Sequence, residues 1–331
     1  MRIGIISFAH IHAESYALCL KERKDVDFLG FYDDHIPRGE QMAREYGIPF
    51  FDDPEEFFRQ KPDGVIICSE NARHRDFAEM AAEHHCAVLC EKPLATSVKD
   101  ARFMVDLFRK RNLLLMTAFP MRYSAPVAET KKLMEKGGLG RVYCVNSRNQ
   151  GQMPRHLREW FVDPDLAGGG AVSDHVVHLA DIFRWIFQKE VIEVYARSNR
   201  NLHAEDPDLK VETGGLVMLS FRDGPFVTID CSWSRPERYP TWGGLGYEFI
   251  GEKGNLNVDA FRQMLRFYSR ETSPEWRFWG SNADGLMIDD FIHSFRSGIE
   301  PRVSGIDGLK AVEVVQAAYR SIESGQPERL D

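Results

Sequence analysis

The chain opens with Arg2-Ile3-Gly4-Ile5-Ile6-Ser7-Phe8-Ala9-His10-Ile11-His12, a short apolar run that breaks at a small polar residue and turns at once into a helical pattern. A strand that is apolar along its whole length is what a parallel sheet covered on both faces requires. The pattern then repeats. Apolar strands are expected at Arg2–Ser7, Phe28–Tyr32, Gly64–Ser69, Ala87–Cys90 and Leu113–Ala118, with helices between and after them at His12–Lys21, Arg38–Tyr46, Pro54–Gln60, Arg75–His84 and Val98–Arg111. Ser97, with Asp100 three residues on, reads as an approximate capping box for the last of these helices. Strict alternation of strand and helix predicts an α/β unit with a doubly wound, Rossmann-type parallel sheet.

After Pro120 the pattern changes. Strand signals dominate from Arg141 to Phe267 (Val142–Ser147, Val191–Arg197, Gly215–Phe221, Phe226–Cys231, Tyr247–Gly251, Leu265–Tyr268), a helix follows Gly168-Gly169-Gly170, and helices at about Asp284–Ser297 and Gly305–Ser324 close the chain. An α/β domain over 1–120 followed by an α+β domain over 121–331 is expected. A length of 331 residues suits two such cores. The net charge of −8 argues against nucleic acid as a partner, which needs a concentrated basic surface. No run of 18 apolar residues occurs, so no membrane span is expected. Six cysteines without a C-x-x-C pair, two of them inside apolar strands, fit reduced thiols and a cytoplasmic location.

A doubly wound sheet takes its ligand at the carboxyl ends of the strands. The first strand-to-helix turn offers free backbone N–H groups and a helix dipole to a pyrophosphate. Here Ser7-Phe8-Ala9-His10-Ile11-His12 reads S-x-A-x-x-H where G-x-G-x-x-G is usual, a degraded dinucleotide fingerprint. Its residues Ser7, Phe8, Ala9, His10 and Ile11 are candidate cofactor contacts. Asp33 ends the second strand, where a carboxylate meets the adenosine ribose hydroxyls. An acid there favours NAD, and the nearby Arg38 keeps NADP open.

Two further motifs decide the reading. Cys90-Glu91-Lys92-Pro93 ends the fourth strand, and Gly168-Gly169-Gly170-Ala171-Val172-Ser173-Asp174-His175-Val176-Val177-His178-Leu179-Ala180-Asp181 opens the middle helix. With Ile66-Ile67-Cys68-Ser69-Glu70-Asn71-Ala72-Arg73-His74, Gly251-Glu252-Lys253-Gly254 and Gly305-Ile306-Asp307-Gly308-Leu309, they make the chain resemble the glucose–fructose oxidoreductase/inositol dehydrogenase (Gfo/Idh/MocA) family nearly end to end. The resemblance implies an NAD(P)-binding first domain and a second domain with an open, mostly antiparallel sheet used for homodimer or homotetramer contacts. It implies Lys92 and His178 as the catalytic pair with Asp174 beside them, and Ser69, Asn71, His74, Glu91, Lys92 and Arg122 along the cofactor. It also implies a Lys92–Pro93 bond of the kind that is often cis. Val176 stands where relatives carry glycine in D-x-G-x-H, a second departure beside the glycine-poor turn.

These residue types suit hydride chemistry. At about 100° per residue, Asp174, His178, Asp181 and Trp185 share one stripe of the helix, while Leu179, Ile182, Phe183 and Ile186 form a separate core face. A histidine can take the hydroxyl proton as hydride leaves the carbon. Lys92 can stabilise the developing alkoxide. Asp174 can orient the histidine or bind a substrate hydroxyl, and His156 and Trp160 are candidate substrate contacts. The expected activity is hydride transfer between NAD(P) and a hydroxyl carbon of a sugar, polyol or related cyclic compound. Three other readings stand beside it: transient use of bound NAD during a sugar elimination or bond cleavage, a ligand sensor of the same fold, and a zinc hydrolase built on His10, His12, Asp174, His175 and His178. No metal is expected. His10 or His12 is expected to face the nicotinamide end and shape the substrate pocket.

Overall fold

Residues 1–239, 241, 243–261, 264–267, 275–278, 280 and 282–330 are described by a computed structural model, with 264–267 and 275–278 as backbone. The first half runs β1 (Arg2–Ile6), α1 (His12–Lys21), β2 (Asp27–Tyr32), α2 (Ile36–Tyr46), β3 (Phe50–Phe51), α3 (Pro54–Arg59), β4 (Gly64–Ile67), α4 (His74–Glu83), β5 (Ala87–Cys90), α5 (Val98–Arg111) and β6 (Leu115–Thr117). All six strands are parallel, in the order β3-β2-β1-β4-β5-β6. The order reverses at β1, so the carboxyl ends of β1 and β4 flank the crevice where such sheets bind ligands.

The centres of the strands are apolar because both faces are covered. Ile3, Ile5, Ile66, Cys68, Ala87 and Leu89 point into one buried cluster. Their neighbours Ile6, Val65, Ile67, Val88 and Cys90 point into the other. Ser97 caps α5 by accepting the Asp100 N–H at 3.1 Å. Its hydroxyl also meets the Asp100 carboxylate at 2.7 Å, so the reciprocal half of the expected box is replaced by a side-chain bond.

The second half runs α6 (Ala125–Glu135), β7 (Val142–Gly151), α7 (Pro164–Ala167), α8 (Ala171–Phe187), β8 (Val191–Asn199), β9 (Gly214–Phe221), β10 (Phe226–Ser232), β11 (Gly243–Gly251), β12 (Gly254–Asp259), β13 (Met264–Phe267), β14 (Glu275–Phe278), α9 (Ala283–Ser297), α10 (Gly305–Ser324) and β15 (Glu328–Arg329). Seven strands form an open sheet, β12-β11-β7-β10-β9-β8-β15, antiparallel except for the β7–β10 pair. Short elements escaped the sequence: β3 is two residues long, and α6 and β12 carry little amphipathic signal. The expected strand Leu265–Tyr268 is β13, with Tyr268 outside the described residues.

The closing helices return to the first half. The helix α9 lies on α1, and α10 packs on α5 and β6 as well as on α8 and β8. Among the described residues no helix is long and apolar enough to cross a membrane. Arg122, in the short turn that links the two sheets, is buried and bonds Asp181 of α8 through Nε at 2.8 Å and Nη2 at 2.5 Å. It also reaches Asp307 of α10 at 3.0 Å and the Arg302 carbonyl at 2.6 Å. Arg122, expected along the cofactor, has its guanidinium bonded to Asp181, Asp307 and the Arg302 carbonyl. Its guanidinium is consumed by two carboxylates that would otherwise be buried without a counter-charge.

Removing one partner of a buried ion pair typically costs about 3–5 kcal/mol, because the remaining charge is left uncompensated. Arg122→Leu is expected to lower unfolding stability by that amount in urea titrations. A loss below about 1 kcal/mol contradicts the assignment.

Candidate active site

The carboxyl end of β5 delivers Glu91, Lys92 and Pro93, with the Lys92–Pro93 bond cis. From there the Lys92 ammonium reaches α8 and meets Asp174 Oδ1 at 2.7 Å and the Asp174 carbonyl at 3.4 Å. Both side chains are buried. The other carboxylate oxygen faces His175 Nε2 at 3.2 Å and accepts from Trp233 Nε1 at 3.3 Å. Burial would raise the Asp174 pKa, but the Lys92 ammonium and His175 outweigh it and hold the carboxyl well below its ordinary range.

The glycine run explains how α8 comes so close. Gly168 ends α7 at φ +77°, and a Cβ on Gly170 would stand 2.1 Å from the Glu212 carbonyl oxygen. Glu212 Oε1 accepts the N–H groups of Gly170 and Val172, each at 3.0 Å, and so caps the helix from a distant part of the chain.

Asp174, His175 and His178 line a cavity of about 190 Å³ together with His12, Asn149 and Asp284. His178 touches the Phe119 ring edge at 5.9 Å between centroids, and its Nδ1 is buried with no hydrogen-bond partner among the described residues. Burial and the Lys92 charge push its pKa well below the ordinary value, so the ring is neutral near pH 7. The polar stripe of α8 is thus real but not solvent-facing. Asp174, His175 and Asp181 are as buried as the core face, because α8 packs on β7, β9 and β10 of the open sheet and also on α6 and α10.

His10 and His12 meet Glu91. His12 Nδ1 lies 3.0 Å from Glu91 Oε1, and His10 Nε2 lies 3.9 Å from Oε2. Tyr16 donates its hydroxyl to Oε1 and the Lys92 N–H donates to Oε2 at 3.0 Å. Burial would raise the Glu91 pKa, but His10, His12 and these bonds hold it well below its ordinary range. The ligand-type atoms of His10, His12 and Glu91 fall within 4.8 Å of one another. Hydrogen bonds already engage them: His10 Nδ1 accepts the His12 N–H at 3.2 Å, and both Glu91 oxygens have donors. His12 lines the cavity, as expected of one of the two histidines. His10 does not: it is 2% exposed and its ring sits edge-on to Phe161.

The first turn keeps the backbone shape that glycine normally provides. Ser7 adopts φ +68°, its N–H donates to the Tyr32 carbonyl at 2.7 Å, and its hydroxyl accepts the Ala9 N–H at 3.1 Å. Asp33 Oδ2 accepts the Phe8 N–H at 2.8 Å, and Arg38 grips both Asp33 oxygens at 2.9 and 2.8 Å. Phe8 can offer only its main chain, since its ring packs on Phe31 in the core. Ile11, half-buried, precedes α1. At the end of β4, Ser69 donates to the Glu70 carbonyl, and His74 bridges the carbonyls of Pro93 at 2.9 Å and Ser69 at 3.3 Å. His74, a candidate cofactor contact, thereby pins two strand ends with both ring nitrogens facing carbonyls.

The segment before α8 covers this edge. Trp160 donates to the Ala9 carbonyl at 3.0 Å and stacks on Phe161, while Asn71 donates to the Ala167 carbonyl at 2.9 Å. Trp160, a candidate substrate contact, thus packs on the first turn and does not line the cavity beside His178. His156 is exposed and bonds the Met153 carbonyl, away from the cavity. The donor set fits a dinucleotide on one observation: Asn71 Oδ1 is buried at the sheet edge without a partner among the described residues.

A parallel sheet with this switch point, joined to an ion-paired cavity at its carboxyl edge, defines a two-domain dinucleotide-binding oxidoreductase. The sequence model described as "Oxidoreductase family, NAD-binding Rossmann fold" matches residues 1–119, and that of the "GFO/IDH/MocA C-terminal domain" matches residues 127–257. The chain belongs to the Gfo/Idh/MocA family of NAD-binding oxidoreductases. It is 27% identical to a myo-inositol 2-dehydrogenase of Thermotoga maritima, over 100% of this chain and 99% of that protein. It is 28% identical to a glucose-6-phosphate 3-dehydrogenase of Bacillus subtilis, over 98% and 97%. The NAD complex of GenD2 from gentamicin A biosynthesis shares the fold, with a TM-score of 0.89 at 22% identity over 100% and 96% of the two chains.

Asp33 shapes the turn and holds Arg38 in one move. Asp33→Ala is expected to weaken NAD binding at least tenfold, about 1.4 kcal/mol, in tryptophan-quenching titrations. An unchanged affinity contradicts that role.

Proposed function

We propose that this chain is an NAD-dependent dehydrogenase that moves hydride between nicotinamide and a hydroxyl carbon of a sugar, polyol or related cyclic compound. One observation carries the reading. The Lys92 ammonium is held at 2.7 Å by Asp174, and Asp174 lines a cavity together with His178. Relatives named for inositol and glucose-6-phosphate dehydrogenation support the substrate class. NAD is preferred to NADP because an acid, Asp33, follows β2 and the matching family model is described as NAD-binding. Six unpaired thiols accord with work in the cytoplasm.

Bound nicotinamide supplies the hydride acceptor. The protein supplies the rest. Asp174 fixes the direction of the Lys92 ammonium, which hydrogen-bonds the reacting oxygen and stabilises the charge that grows on it. Neutral His178 can accept from the hydroxyl group. The apolar walls Pro120, Met121 and Leu245 thin the water around these groups and strengthen each interaction.

The outer face of the open sheet supports a homodimer, or a homotetramer by repetition. Tyr143, Leu216, Met218 and Phe226 are 50%, 58%, 37% and 50% exposed there, and single chains rarely leave such apolar neighbours in water. Doubly substituted Leu216→Lys, Phe226→Glu protein is expected to be monomeric by light scattering. An unchanged assembly, or a monomeric unsubstituted protein, contradicts that interface.

The activity is tested by mixing the protein with NAD and a panel of sugars and polyols, following absorbance of the reduced nicotinamide. Lys92→Ala is expected to keep NAD affinity within about twofold, a free-energy change of about 0.4 kcal/mol, and to lose turnover by about 10²–10⁴. Turnover of Lys92→Ala equal to the unsubstituted protein's contradicts the assignment.

A further inference from the structure

Oxidising a hydroxyl releases a proton that some group must hold. The surroundings of His178 do not favour that task, since its Nδ1 has no acceptor among the described residues and the Lys92 ammonium is nearby. His12 is placed differently. Its Nδ1 faces Glu91 Oε1 at 3.0 Å, Glu91 is fully buried and fixed by Tyr16 and the Lys92 N–H, and the ring is 30% exposed along the same cavity wall as Asp174 and His178. No described residue bonds its Nε2. A carboxylate behind one imidazole nitrogen sets the tautomer and stabilises the imidazolium, leaving the other nitrogen for proton exchange.

The charges around His12 are mixed. Glu91 and Lys92 face it from the end of β5, His10 from the turn, Tyr16 from its own helix, His178 from α8 and Asp284 from α9, the last held by Ser15 at 2.6 Å. Burial would lower the His12 pKa, but the Glu91 charge and hydrogen bond, with a smaller contribution from Asp284, outweigh it and raise the ring above its ordinary value. His178 and His10 are both moved the other way.

Resting on the dehydrogenase reading, we propose that the His12–Glu91 pair, backed by Tyr16, is a second proton-transfer element of the cavity and holds the proton between hydride transfer and release to solvent. The balance is simple. The C–H bond gives its electron pair and hydrogen to NAD, which becomes NADH; the hydroxyl oxygen forms the carbonyl; its proton ends on His12 Nε2 and passes to water. The reverse reduction draws the same proton back. Glu91 acts through His12 and is a positioning residue.

The test is the pH profile of kcat/KM with NAD and a sugar or polyol that the unsubstituted protein oxidises. Oxidation needs neutral His12, so the rate falls as pH drops through its raised pKa. His12→Asn keeps a donor toward Glu91 but has no group to accept the proton. It is expected to lose about 10²-fold in kcat and to lose the acidic limb, with NAD affinity kept within about twofold. Glu91→Gln is expected to retain more activity and to move the acidic limb to lower pH, and His12 ring resonances should titrate lower in the same variant. Unchanged rates and profile in His12→Asn, or an unmoved limb in Glu91→Gln, overturn the proposal. So does activity that EDTA abolishes and zinc restores, which would give these side chains to a metal. Unsubstituted protein that binds NAD but reduces it with no sugar or polyol overturns the dehydrogenase reading and this proposal with it; a working enzyme indifferent to His12 overturns the proposal alone.

Discussion

The ion pair between Lys92 and Asp174 joins the two halves of the chain where the chemistry lies. Lys92 sits at the end of a strand in one sheet, and Asp174 in the first turn of the helix that supports the other. Each is buried, so neither charge is tolerable without its partner. Their separation of 2.7 Å therefore fixes the register between α8 and β5 as well as the orientation of the ammonium. The glycine run, the Glu212 cap and the Trp233 bond to Asp174 all serve to bring α8 to that position.

Three buried ionic groups lie around the cavity and α8. Asp174, paired with Lys92, and His175 border the cavity from one side. His12, paired with Glu91, borders it from the first turn, with His10 and Tyr16 also facing Glu91. Arg122 with Asp181 and Asp307 lies further along α8 and bonds no cavity group. The first two differ in the proton each can hold. Buried and near an ammonium, His178 is pushed below its ordinary value, whereas at His12 the ionised Glu91 outweighs burial and raises the ring. Two imidazoles in one cavity are thus set apart by their neighbours, which lets each take a distinct role.

Much of this was legible in the chain. The apolar strands β1, β4 and β5 and the helices α1, α5 and α10 follow from periodicity, since long runs buried on both faces leave a strong imprint. The family resemblance that their motifs carry implied that Asp174 would stand beside Lys92 and His178; Asp174 does bond Lys92 and shares a cavity with His178. What escaped depends on contacts distant in sequence. Nothing near Arg122 announces Asp181 or Asp307, and nothing near Trp160 announces the Ala9 carbonyl. His156 read as a substrate contact because it precedes the glycine run, yet it turns outward. Ser7 departs from the glycine pattern in letter only, because its φ of +68° and its hydroxyl reproduce the turn. His12 read as one of two histidines able to shape the pocket; nothing near it announced Glu91, seventy-nine residues away.

The central claim is spatial, and a crystal structure with NAD and an oxidisable sugar bound tests it most directly. The account predicts that Lys92 Nζ and a ring nitrogen of His178 or His12 will lie within about 2.6–3.2 Å of one and the same substrate hydroxyl, beside C4 of the nicotinamide. A sugar seated elsewhere, with Lys92 still turned only to Asp174 and the histidines facing solvent, would contradict it.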